Sequence, residues 1–149
     1  MGKMPIICHL PFSNFHLFQH LIIYSMTNSE KSRQLEQRTF KFGKDVIGLC
    51  RRLKPDNISA PIINQLVRSA TSIGANYLEA NNASSKKDFT NKIFICKKES
   101  EETKYWLNML LSCYPAEKEF VGNLYDECRQ LNLIFQKIVA TIKNGKVVK

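Results

Sequence analysis

From residue 27 to residue 149 the chain contains no histidine; all three, His9, His16 and His20, fall within the first 26 residues. Imidazole is the side chain that most readily moves protons near neutral pH. Its absence removes Ser-His and Cys-His nucleophilic pairs from most of the chain. It also removes the di-iron carboxylate centre of helical bundles, which needs Glu-x-x-His on two helices. No GxxxxGK[ST] or GxGxxG run occurs, so neither common phosphate-cradling loop is present. Five cysteines, at 8, 50, 96, 113 and 128, form no CxxC pair and are odd in number. A disulfide framework or zinc site is therefore not expected, and a reducing, cytoplasmic compartment suits the chain. Six glycines and five prolines are too few for collagen or an unfolded linker. The sequence predicts no catalytic residue, no metal and no cofactor.

What is present points to a folded domain. Hydrophobic residues make up 44% of the chain and charged residues 23%, and 149 residues suffice for one domain with a substantial core. Residues 1–26 differ from the rest, with little charge, two prolines and all the histidines. They are too interrupted for a signal peptide and too polar to span a bilayer, so no membrane partner is expected. His16 and His20 stand one helical turn apart, but no third ligand accompanies them. Met26 precedes Thr27, Asn28, Ser29 and Glu30, a capping-box pattern that starts a helix. We read 1–26 as an extension, with the natural product beginning at Met26, and 27–149 as the domain.

Four helical segments and no strand are predicted. In the first, about 28–53, Leu35, Phe42, Val46, Leu49 and Leu53 form an a/d seam, and Pro55 ends it. The second, about 59–80, turns Ile62, Leu66, Ala70, Ile73 and Tyr77 inward; Ala70 and Gly74 either admit a neighbouring backbone closely or merely weaken the helix. Ser85 caps the third, about 86–113, which carries Phe89, Ile93, Cys96, Leu107, Leu110 and Leu111 on one face. Its apolar arc is too wide for one stripe. Phe94, Tyr105, Trp106 and Met109 widen it, which favours a subunit interface over extra core or scattered exposed aromatics. The fourth, about 116–143, repeats the seam with Phe120, Leu124, Cys128, Leu131, Phe135, Ile138 and Ile142 before Asn144 and Gly145 stop it. Matched helices joined by short turns predict an all-α, antiparallel up-down-up-down four-helix bundle.

Charge is unevenly placed. The chain carries +9 overall, and residues 31–54 alone hold eight basic against two acidic side chains. On the first helix, Arg33, Lys41, Lys44, Arg51 and Arg52 gather opposite the apolar seam. Such a face serves as a solvated helix back or as a phosphate-tracking surface; the scarcity of acids there favours the second. No aromatic residue is expected to interleave with it, so binding would be directed at the phosphate backbone and tolerant of sequence. A second polar stripe, Arg68, Ser72, Asn76 and Glu79, lies along helix two, with Glu102 on helix three. Glu79 and Glu102 as an acid–base pair is one reading. A polar network that fixes a turn or orients subunits is the favoured one.

The stretches QLVRSATSIGANYLEA (65–80) and ASSKKDFTNKIFICKKESEETKYWL (83–107) resemble the bacterial four-helix bundle proteins first noticed in intervening sequences of 23S ribosomal RNA genes. The resemblance rests on Gln65, Leu66, Arg68, Ser69, Ser72, Ile73, Asn76, Glu79, Lys87, Asp88, Phe89 and Glu102. It covers about 35–143 and leaves out 1–26. Ala80 departs from the glycine that many members carry. Accessory variability determinant proteins of diversity-generating retroelements are related. By this resemblance a ring-like homo-oligomer, a pentamer, is implied, together with RNA or DNA binding, and with a reverse transcriptase as partner if the gene lies in a retroelement. The reading is a non-enzymatic, oligomeric bundle that binds nucleic acid weakly through helix one. A protein-interaction scaffold without nucleic-acid binding is the alternative.

Overall fold

The computed structural model describes residues 28–144. The chain divides into two compact units, Met1–Arg33 and Gln34–Lys149. Of the first, only residues 28–33 are described, as the opening turns of a helix. The histidines, the Met26 start, the Thr27 cap and Gly145 lie outside the described residues. Four α-helices and no strand are found among the described residues: α1 (Asn28–Cys50), α2 (Ser59–Asn81), α3 (Lys86–Cys113) and α4 (Lys118–Lys143), the last preceded by a 3₁₀ turn at Pro115–Glu117.

Local chemistry sets where the helices stop and start. α1 ends three residues before its expected end at 53, because the backbone tightens ahead of Pro55. There the Arg52 N–H bonds the Leu49 carbonyl at 3.0 Å and the Leu53 N–H bonds the Cys50 carbonyl at 3.3 Å, the i to i−3 pattern of a closing turn. At the start of α2, Asp56 Oδ1 accepts the N–H groups of Ile58 (3.0 Å) and Ser59 (2.7 Å), while Ser59 Oγ accepts the Asp56 N–H at 2.9 Å. Two orphan donors of the helix are thereby satisfied. The Ser59 hydroxyl donates to Asp56 Oδ1 at 2.7 Å, and this bond first, then the two backbone N–H bonds, holds the exposed Asp56 carboxyl below its ordinary pKa. The Tyr114 hydroxyl, from the α3–α4 turn, reaches Ser59 Oγ (2.8 Å) and the Lys54 carbonyl (2.9 Å) and ties the two turns together. Ser85 accepts the Asp88 N–H at 3.1 Å and caps α3 as expected.

Contacts across the helices run in opposite directions along the sequence at every step. Asn81 donates to Glu36 at 2.8 Å and the Gly74 region meets Thr39, so α1 and α2 are antiparallel. Thr103 Oγ1 lies 3.0 Å from Ser69 Oγ, and Cys96 points its thiol at the Ile73 carbonyl. Asn132 donates to Ser100 Oγ at 2.7 Å, and Arg38 of α1 meets Glu127 of α4. The Gln34–Lys149 unit is therefore an antiparallel four-helix bundle with a single core that includes Phe42, Leu49, Leu66, Ile73, Ile93, Leu107, Leu131 and Phe135.

Two seams depart from expectation. On α4 the buried apolar residues are Val121, Leu124, Cys128, Leu131, Phe135 and Val139; Phe120 is 36% exposed, and Ile138 and Ile142 are half-buried. Both registers satisfy three- and four-residue spacing, and the structure turns the one led by Val121 inward. On α3 the inward positions between Cys96 and Leu107 are Glu99, Ser100 and Thr103. That polar gap interrupts the helix's apolar stripe.

Gly74 settles the question of close approach. A methyl built there would stand 3.5 Å from the Thr39 carbonyl carbon and oxygen, ordinary contact with backbone and no room beyond it. Gly48 has nothing within 4 Å of that position. Gly48→Ala is expected to stabilise the protein by about 1 kcal/mol through helix propensity. Gly74→Leu is expected to destabilise it by about 1–3 kcal/mol by pushing α1 from α2. Urea unfolding followed by far-UV circular dichroism checks both, and a stable Gly74→Leu protein would contradict the packing.

Candidate functional site

The polar stripe of α2 meets α3 in two separate places. Arg68 donates from Nη1 to Glu99 Oε2 at 3.3 Å, from Nη2 to Glu102 Oε1, and from Nε to Gln65 Oε1 at 2.9 Å. The Trp106 indole N–H donates to the same Glu102 oxygen at 3.2 Å. One guanidinium therefore joins two carboxylates and holds an aromatic ring in place. The Arg68 hydrogen bond is the main cause that keeps the Glu102 carboxyl below its usual pKa and raises that of Arg68. One turn further, Asn76 donates to the Ser72 carbonyl (2.9 Å) and Ser72 Oγ (3.0 Å). Glu79 instead pairs with Lys92, whose pKa rises chiefly through that hydrogen bond.

Glu79 and Glu102 are thus held by different cations. An acid–base pair would need a raised pKa on one carboxyl, whereas that of Glu102 is lowered. Two grooves lie along α1 and α4, around Arg38, Asp45, Phe120, Leu124 and Glu127, and around Arg52, Glu119 and Asn123, and neither Glu79 nor Glu102 lines them. Among the described residues no three His, Cys, Asp or Glu side chains converge as metal ligands. Burial pushes the Cys50 thiol up to about 11 and those of Cys96 and Cys128 up to about 12. They stay protonated and unreactive near neutral pH.

The basic residues of helix one are divided by the fold. Arg33 is exposed near the start of α1, in the other compact unit. Lys41 pairs with Asp45 at 2.5 Å, and Arg52 pairs with Glu117 at 3.3 Å. Lys44 and Arg51 are exposed, and among the described residues neither has a carboxylate partner. Arg51 and Arg52 lie in the turn after α1 rather than on the helix. Aromatics do border this surface, contrary to expectation. Phe40 is 67% exposed, with Lys44 Nζ 5.7 Å from its ring centre, and Arg52 stacks on Phe120 at 4.3 Å. Phe40 stands four residues before Lys44, so its place beside the basic arc was readable from the helical wheel. Phe120 was not, because it comes from α4 and was assigned to the core.

Two further residues escaped sequence reasoning. Glu99, largely buried, is the second carboxylate on Arg68, and Arg38 forms a two-point bond with Glu127 at 2.5 and 2.9 Å. Neither pairing has a local signal, since both partners come together only through helix packing. Of the aromatics on α3, Tyr105 is 55% exposed and Phe94 lies open beside Lys143, 5.6 Å from its ring centre. Trp106, half-buried, turns to Glu102, with Tyr105 edge-on at 4.9 Å, and Met109 is half-buried.

The lowered Glu102 pKa carries a sign. Its contribution to stability is present above the unfolded carboxyl value, 4.5, and is lost as pH falls through the lower folded value. Glu102→Gln is expected to destabilise the protein at pH 7 by less than about 1 kcal/mol, as partly exposed pairs do. The difference from the unaltered protein shrinks as pH drops below about 4. Thermal melts across pH 3–7 measure it, and a gap that widens in acid contradicts the assignment.

Comparison with known proteins places the chain. A family model described as 23S rRNA-intervening sequence protein matches residues 31–137. No curated protein matches. Among solved structures, a protein with unknown function from the S23 ribosomal protein family of Bacteroides thetaiotaomicron VPI-5482 is similar, at 30% identity and a TM-score of 0.64, covering 70% of this chain and 97% of that one. With the match spanning most of all four helices and a solved relative of the same architecture, the chain belongs to the 23S rRNA-intervening sequence protein family.

Proposed function

We propose that this protein is a non-enzymatic, self-associating bundle of the cytoplasm that binds nucleic acid through the outer side of α1. The observation that carries the reading is the state of Lys44 and Arg51: both are exposed beside a chain segment rich in basic residues, with no carboxylate partner among the described residues. A cation already neutralised by a neighbour gains little from a phosphate, whereas an unpaired one releases counterions when it meets one. Lys41 and Arg52, each already in an ion pair, contribute less, and Arg33 is exposed but lies in the other unit. Such contacts track phosphate and tolerate sequence.

Titration of labelled RNA and duplex DNA across salt concentrations tests this reading. Affinity is expected to fall steeply with salt. Replacing both Lys44 and Arg51 by Gln is expected to reduce the slope of log affinity against log salt by roughly two. No binding at low salt would leave the scaffold alternative.

Self-association is supported by a separate observation. Tyr105, Phe94 and Leu133 are large apolar side chains left open on α3 and α4, and exposed apolar surface of this kind marks protein contacts. The ring-like pentamer implied by family resemblance is the assembly proposed, with Trp106 and Met109 acting as support behind Tyr105. Light scattering is expected to return a multiple of 17.2 kDa, and Tyr105→Asp is expected to lower that mass. A monomer at high concentration refutes it.

A further inference from the structure

We propose that Phe40 is a base-stacking residue, so that the α1 surface prefers single-stranded nucleic acid to a duplex; this inference rests on the nucleic-acid reading above. Phe40, Lys44, Ile47 and Arg51 follow one another at spacings of four, three and four, one stripe along the outer side of α1. The Arg51 N–H still bonds the Ile47 carbonyl at 3.0 Å, so the stripe continues into the turn. All four side chains are exposed. A solvated helix back gains nothing from a phenylalanine that is 67% exposed, and a Lys or Glu there would favour the helix more.

The chemistry around the ring suits a nucleotide. Lys44 Nζ sits loosely over the ring, 5.7 Å from its centre, and still leaves Phe40 67% exposed, so a base that stacks on the open part of the ring brings its phosphate within reach of that cation. The nearby acids are turned to other tasks: Asp45 pairs with Lys41, and Glu36 accepts from Asn81. In a duplex the base faces are hidden and only edges and phosphates are offered, so a phenyl ring can stack on an unpaired base alone. Lys44 and Arg51 also disfavour a second copy meeting this stripe with its own, since like charges would face each other. Phe120 offers no comparable platform. Arg52 covers its ring at 4.3 Å, closer than Lys44 lies to Phe40, the ring is only 36% exposed, Glu117 neutralises that cation, and Glu119 lines the same groove.

The test compares a fluorescein-labelled single-stranded RNA with the duplex it forms with its complement, using the full-length protein at low salt and fluorescence anisotropy. The unaltered protein is expected to bind the single strand more tightly. Phe40→Ala is expected to weaken single-strand binding roughly 5- to 50-fold, the range for loss of one stacked base. Duplex affinity stays within about two-fold because the phosphate contacts are untouched. Phe40→Tyr, which keeps the ring, is expected to retain single-strand binding. Far-UV circular dichroism of each variant controls for folding. Equal losses on both ligands, or no loss on the single strand, overturn stacking while the nucleic-acid reading stands. Failure of the unaltered protein to bind either ligand overturns both. A lower mass of Phe40→Ala by light scattering, with RNA affinity unchanged, assigns the stripe to a second copy and overturns the proposal.

Discussion

Between Cys96 and Leu107, α3 turns Ser100 and Thr103 fully into the core and buries most of Glu99, and buried polar groups must find hydrogen-bond partners there. Thr103 meets Ser69 of α2, Ser100 meets Asn132 of α4, and Glu99 meets Arg68. Asn132 is itself held by Gln136 at 2.5 Å, and its amide also reaches the Lys97 carbonyl at 3.2 Å. Among the described residues no buried side-chain nitrogen or oxygen lacks a partner. Apolar layers alone permit helices to slide by a turn, because one leucine packs much like another. A hydrogen-bonded layer does not, since a one-turn slip would strand several polar groups at about 1–3 kcal/mol each. The layer thus fixes the registers of α2 and α4 against α3, and with them the positions of the outer side chains.

That register has electrostatic consequences. With α3 fixed against α2, Glu99 and Glu102 converge on Arg68, and Lys92 comes to Glu79. With α4 antiparallel to α1, Glu127 takes Arg38 and Glu117 takes Arg52. Carboxylates from other helices therefore consume part of the charge that the α1 segment carries. Lys44 and Arg51, both exposed, have no carboxylate partner among the described residues. A net charge of +9 says only that a polyanion is a suitable partner. The pairing pattern says which cations are free to meet it.

Much of the fold was legible because it is written in local signals. Leu35, Phe42, Val46 and Leu49 repeat at helical spacing and are buried, Pro55 and Asp56 end one helix and start the next, and Ser85 caps α3 through the Asp88 N–H. Each needs only a few neighbouring residues and elementary backbone chemistry. The Arg68, Ser72, Asn76 and Glu79 stripe was also legible as a stripe. Its division into an Arg68–Glu102–Trp106 cluster and a Glu79–Lys92 pair was not, because the partners lie on the facing helix. The inward turn of Val121 in place of Phe120 escaped for a related reason: both positions fit the seam, and only packing within the bundle core distinguishes them.

Local properties such as spacing, capping and residue type were enough to read four helices within residues 28–144, the three turns between them, and the lack of histidine beyond residue 26. Packing settled which polar groups share the core, which basic side chains lack a carboxylate partner among the described residues, and that Phe40 stands open beside Lys44 while Phe42 is buried. Those outcomes depend on contacts between residues tens of positions apart, and packing free energy, not periodicity, selects among the registers that the pattern allows.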